Sequence, residues 1–190
     1  MWYNIYVDKK LSEGSLKFMF NIGDKVVYPM HGAGTIESIE EKEIMGESAD
    51  YYIIKMPVDG VKVMVPTENA KNVGVRELAE KEETDRVFSI LSAPMESLSI
   101  DSNWNKRYSA NIDKIKSGSI TEVTEVFKEL SHRHFEKGLS IGEKKMLTAS
   151  KNILLSELVL TQDESKEDLD ERLESMVKKS FDIFSETIDI

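Results

Sequence analysis

Ser102-Asn103-Trp104-Asn105-Lys106-Arg107-Tyr108 is the segment whose residue types could do chemistry. An indole stands at the entrance to a helical pattern, with two cations close behind it. Such a set suits nucleic acid: apolar wedges entering the minor groove unstack base steps, while Lys and Arg hold the phosphates. The same spacing admits a blander arrangement. Tyr108, Ile112 and Ile115 recur at i, i+4 and i+7. Trp104 falls at the edge of that stripe, where it could close one end of a helical bundle. The pattern is compatible with both.

Other chemistry is poorly represented. The chain has no cysteine, which excludes disulfides, thiol catalysis and cysteine-ligated metal clusters and fits a reducing cytoplasm. It has no G-x-S-x-G, no phosphate-binding G-x-x-x-x-G-K-[ST] and no H-E-x-x-H. His31-Gly32-Ala33-Gly34 has two glycines but no helix after it, so it reads as a turn between strands. His132 and His134 are two apart on a predicted helix and point to different sides, so they are poor partners for one metal. They read as surface or boundary residues. No carboxylate pair stands isolated in an apolar setting that would tune its pKa. An enzyme is not expected, and neither is a cofactor.

The 190 residues carry a formal charge of −10, with 40% hydrophobic and 32% charged residues. That is a globular profile of one or two small domains. No apolar run approaches the ~20 residues of a membrane span. The charge is uneven. Residues 103–151 hold 10 basic and 6 acidic side chains, whereas residues 163–190 hold 4 and 10. The acidic balance argues against a general nucleic-acid coat and for local contacts. A solvated helical surface would also account for the basic stretch.

Two kinds of element must position the segment. Residues 1–18 lack the features of a signal peptide and read as a loose, disordered leader, with Met19 as an alternative start. From Phe20 to about Val73 the signals are those of strands: Asp24 to Pro29, Thr35 to Glu41 with Ile36 and Ile39 inside, Tyr51 to Met56, and Val61 to Pro66. They predict a small, strongly bent sheet or barrel whose exposed edges offer a place for another protein's strand. After Gly74 the period becomes helical. Helices are expected from Glu80 to Leu91, from Asn103 to Lys116, after Ser119 and after Ser140, with capping boxes at Ser119–Glu122 and Ser140–Glu143. Residues 92–102 read as a loop. A last amphipathic helix is possible from Asp168 to Phe181. The fold class is α+β: a β module followed by an all-α bundle.

Several separated motifs remain: Asn21-Ile22-Gly23-Asp24-Lys25-Val26-Val27-Tyr28-Pro29-Met30-His31-Gly32, Val65-Pro66-Thr67-Glu68-Asn69, Val73-Gly74-Val75-Arg76, Asn103-Trp104 with Arg107-Tyr108, and Gly138-Leu139-Ser140 with Gly142-Glu143-Lys144-Lys145-Met146-Leu147. Together and in this order they resemble the CarD family of bacterial transcription regulators. The resemblance runs from about Phe20 to Leu160. It implies a Tudor-like small β barrel over 19–75 that binds the β subunit of RNA polymerase. It also implies a helical DNA-contacting domain over 76–162, followed by an acidic tail over 163–190. In the family a tryptophan matching Trp104 wedges into the minor groove at the upstream edge of the bubble and stabilises the open complex. Cations matching Lys106, Arg107 and Lys144 lie by the phosphates, and Lys145 adjoins them. Another basic position of the family is Ser109 here. Two basic residues that grip polymerase match Lys42, still a cation, and Met64, which is not. The implied partners are the polymerase β subunit and promoter DNA, met by a monomeric cytoplasmic protein without membrane attachment.

One competing reading keeps the polymerase contact and drops the DNA. In that adaptor Trp104 would be buried as core. The isolated polymerase-interacting module of a repair translocase fits less well, since no helicase motif is present.

Overall fold

The structure, a computed structural model, describes residues 19–94, 103–162 and 164–188. The leader reading and most of the loop reading at 92–102 lie outside these residues.

β-Branched residues set the first strand, β1 (Lys25–Tyr28), in which Val26 and Val27 are both buried. Neighbours on a strand point to opposite faces, so β1 is covered on both sides. The next strand, β2 (Gly32–Ile44), is 13 residues long and serves two ladders. Its first residues pair with β1, and from Thr35 onward it pairs with β3 (Glu47–Lys55). At the change-over the register shifts between Ile36 and Ser38, leaving Glu37 as the extra residue of a bulge. A bulge bends the strand and turns its alternation over. That is why Ile36 and Ile39, three apart, both face the interior.

A two-residue turn, Met45-Gly46, joins β2 to β3, both with positive φ (55° and 84°). Such a turn matches the twist of a hairpin. With β4 (Lys62–Pro66) and the short β5 (Arg76–Glu77), the antiparallel sheet has the order β4-β3-β2-β1-β5. This is the Tudor-like module expected. Its core gathers Phe20, Val26, Ile36, Tyr52, Ile54, Met56, Val65, Ala70 and Val75.

Among the described residues five helices follow: α1 (Lys81–Ser92), α2 (Trp104–Lys116), α3 (Ile120–Lys137), α4 (Ile141–Thr161) and α5 (Lys166–Ile188). Local signals start and stop them. Asn103 caps α2 by accepting the amides of Asn105 and Lys106, and Gly138 ends α3 with φ 81°. Ser140 opens α4 with a reciprocal capping box to Glu143. At Ser119 only the serine half of the expected box forms, its hydroxyl accepting the Glu122 amide.

The apolar stripes meet in one core that includes Leu91, Ile115, Phe127, Leu130, Leu154 and Leu158. The acidic segment joins it: α5 buries Leu169, Leu173 and Val177 there. This corrects the reading of His132. His134 is exposed, but His132 has no exposed surface. It lies edge-on to Phe181 at 5.4 Å, with Phe184 at 6.0 Å, because α5 covers that face of α3.

The sheet and the helices share a tight seam. The Ala33 amide donates to Ser156 Oγ at 2.8 Å. Gly32 leaves room for this approach: a Cβ there would sit 2.3 Å from the same oxygen.

Candidate nucleic-acid interface

Two helix N-termini converge on Trp104. It is the first residue of α2, held by the Asn103 cap, and its Nε1 donates to Ser140 Oγ, the cap of α4, at 3.3 Å. Helix N-termini carry partial positive charge and suit anions, phosphate included. The indole stacks on Tyr108, ring centres 5.0 Å apart and planes at 26°. Tyr108 packs in turn against the bundle core. One side of the indole is therefore anchored, while 41% of the residue stays exposed. Trp104 is not a core residue, and the burial required by the adaptor reading is not found.

The other candidates divide by environment. Lys106, Lys144 and Lys145 are exposed around the same helix ends, as is Ser109. Arg107 points elsewhere. Its Nη2 lies 3.7 Å from Glu143 Oε1, and only 14% of its side chain is exposed. Sequence reasoning missed Ile141, the first residue of α4, which is 78% exposed beside the residues that touch the indole. An apolar residue directly after a cap was the available signal.

Lys42 and Met64 lie on the sheet, on either side of β3. Lys42 pairs with Ala49 and Met64 with Ile53. Paired residues share a face and so do residues two apart, which sets Lys42 and Met64 on one face of the sheet. Met64 is 51% exposed, and Lys42 forms an ion pair with Glu40 at 2.6 Å. Hydrogen bonds from Lys42 and Ser38 hold the Glu40 carboxyl below the usual carboxylate range.

Two family models match separate stretches of the chain. Residues 20–79 match the CarD-like/TRCF RID domain, and residues 86–174 match the C-terminal domain of CarD. The chain belongs to the CarD family. A relative from Bacillus subtilis (strain 168), named "Putative transcription factor YdeB", is 41% identical over 140 residues, covering 74% of this chain and 90% of the relative. The CarD family is one of transcription regulators, and the RID match places this chain among those that interact with RNA polymerase. Among the described residues, no helix is long and apolar enough to cross a membrane.

Proposed function

We propose that this CarD-family chain binds the β subunit of RNA polymerase through its sheet and stabilises the promoter open complex through Trp104. The indole enters the minor groove at the upstream edge of the bubble, and Lys106, Lys144 and Lys145 hold the neighbouring phosphates. The observation that carries this reading is the half-exposed indole, fixed between the N-termini of two helices whose first two turns bear the exposed Lys106, Lys144 and Lys145.

The acidic balance suits such a task. A protein delivered by polymerase needs little DNA affinity of its own, because tethering raises its effective concentration. Stacking an aromatic ring on a base contributes on the order of 1–3 kcal/mol. About 1.4 kcal/mol on the closed-to-open equilibrium shifts it tenfold. One indole therefore suffices to slow bubble collapse. The polymerase contact is assigned to the sheet face bearing Lys42 and Met64, in the cytoplasm where the nucleoid lies.

The test is a permanganate footprint of polymerase on a ribosomal RNA promoter, with and without the protein. Thymines at the upstream bubble edge should stay reactive longer after competitor is added when the protein is present. Equal decay with and without it contradicts the reading. For the polymerase arm, Lys42→Glu should weaken retention on an immobilised β subunit, and unaltered retention contradicts that assignment.

A further inference from the structure

Ser140 connects Trp104 to a charge pair. A hydroxyl has one proton to give and two lone pairs to offer, and this one uses all three. Ser140 Oγ donates to Glu143 Oε2 at 2.6 Å and accepts the Glu143 amide at 3.3 Å and the Trp104 indole N–H at 3.3 Å. Glu143 is held from both ends. Its Oε2 also accepts the Ser140 amide at 3.0 Å, and its Oε1 faces Arg107 Nη2 at 3.7 Å.

Glu143 keeps its charge although its side chain is only 10% exposed. Burial works against ionisation, but the Ser140 hydroxyl and amide, with Arg107 and Arg133, outweigh it and hold the carboxyl below its ordinary range. The ring's own position is restricted further. Tyr108 stacks on it, and Gly142 presents bare backbone: a Cβ there would lie 3.6 Å from Trp104 Cζ2 and 3.4 Å from Tyr108 Cε2.

We propose that Ser140, Glu143 and Arg107 form a bracket that fixes the Trp104 indole before it meets DNA. Arg107 is then a positioning residue that acts through Glu143, not a phosphate contact. Fixing the ring in the free protein removes its ordering cost from the binding step. The DNA arm of this inference rests on the wedge reading above. The bracket itself is a property of the free chain.

Glu143→Gln separates the two roles of Arg107 by sign. The amide keeps the shape and still accepts at the helix cap, but the charge is gone. If Arg107 held a phosphate, losing the carboxylate would release it and remove a negative charge beside DNA, and the open complex would last longer. If the bracket governs the ring, the lifetime falls, by about threefold or more for the loss of a charged partner.

The companion measurement uses Trp2→Phe, which leaves Trp104 the only indole. In the free protein, Glu143→Gln and Ser140→Ala should each raise acrylamide quenching and lower fluorescence anisotropy, with thermal unfolding showing that the variants remain folded. Unaltered quenching and anisotropy overturn the bracket, and so does a Glu143→Gln lifetime that is unchanged or longer. Should Trp104→Ala also leave the lifetime unaltered, the wedge reading fails and the bracket is judged by the fluorescence alone.

Discussion

Arg76 and Glu157, 81 residues apart, join the sheet to the bundle through two hydrogen bonds of 2.8 and 3.0 Å. Arg76 also donates to the Gly118 carbonyl at 2.9 and 2.6 Å, and Glu157 accepts the Ala79 amide at 2.7 Å. The last strand, the α2–α3 turn and α4 thus meet at one ion pair, whose Glu157 side chain is 1% exposed. Helix α4 continues from this seam to Trp104. Its Ser156 and Glu157 touch the sheet region, and its cap Ser140 holds the indole. At 1.5 Å per residue that rod spans about 24 Å. A sheet docked on polymerase would therefore place the indole at a set distance.

Removing the carboxylate should loosen this seam. Glu157→Ala leaves the Arg76 guanidinium and the Ala79 amide without their acceptor. Breaking a buried pair costs about 3–5 kcal/mol, but Arg76 is 31% exposed and water compensates in part, so about 2–3 kcal/mol is expected. Urea unfolding checks this, and a loss under 1 kcal/mol, about the value of an exposed pair, would contradict it.

Gly32 is the steric counterpart. Its φ is 98°, and a Cβ would meet Ser156 Oγ at 2.3 Å and the Ile153 Cα at 3.4 Å. Gly32→Ala should destabilise by roughly 1–3 kcal/mol through backbone strain alone, with the clash adding to it. An unshifted unfolding midpoint would mean that the sheet and α4 do not approach this closely.

Acid should weaken the α3–α5 contact through His132. Burial, chiefly, and the Lys128 charge lower its pKa from 6.5 to about 4. The unfolded chain then binds the proton more readily than the folded one. Stability is full above about pH 6.5 and falls as pH drops toward 4, by about 3 kcal/mol for a shift of this size. Urea midpoints at pH 7 and pH 4.5 should differ in the native chain and converge in His132→Leu. An equal pH slope in that variant would assign the acid lability to other groups.

The lysines should act through salt. Each phosphate neutralised contributes about 0.9 to the slope of log affinity against log salt. Lys144→Gln and Lys145→Gln should each flatten the salt dependence of open-complex lifetime while retaining polymerase binding. A slope equal to that of the native chain would remove that lysine from the DNA contact.

Features set by neighbours in the chain were legible beforehand. The Asn103 cap, the Ser140 capping box and the Gly138 stop each depend on residues within four positions. So did the strand pattern, although only the bulge at Glu37 explains how Ile36 and Ile39 both face inward. What could not be read depends on distant partners. Ser140 was recognisable as a cap but not as the acceptor for an indole 36 residues away. Arg107 was recognisable as a cation, but its ion pair with Glu143 requires α2 and α4 to be side by side. His132 lies on α3, and only the packing of α5 buries it.

The most direct measurement is open-complex lifetime with native protein and with Trp104→Ala, each saturating polymerase at a promoter that the native chain stabilises. Stacking of about 1–3 kcal/mol predicts a lifetime at least severalfold shorter with the variant, at equal polymerase binding. Equal lifetimes at equal binding would show that the indole does not hold the strands apart.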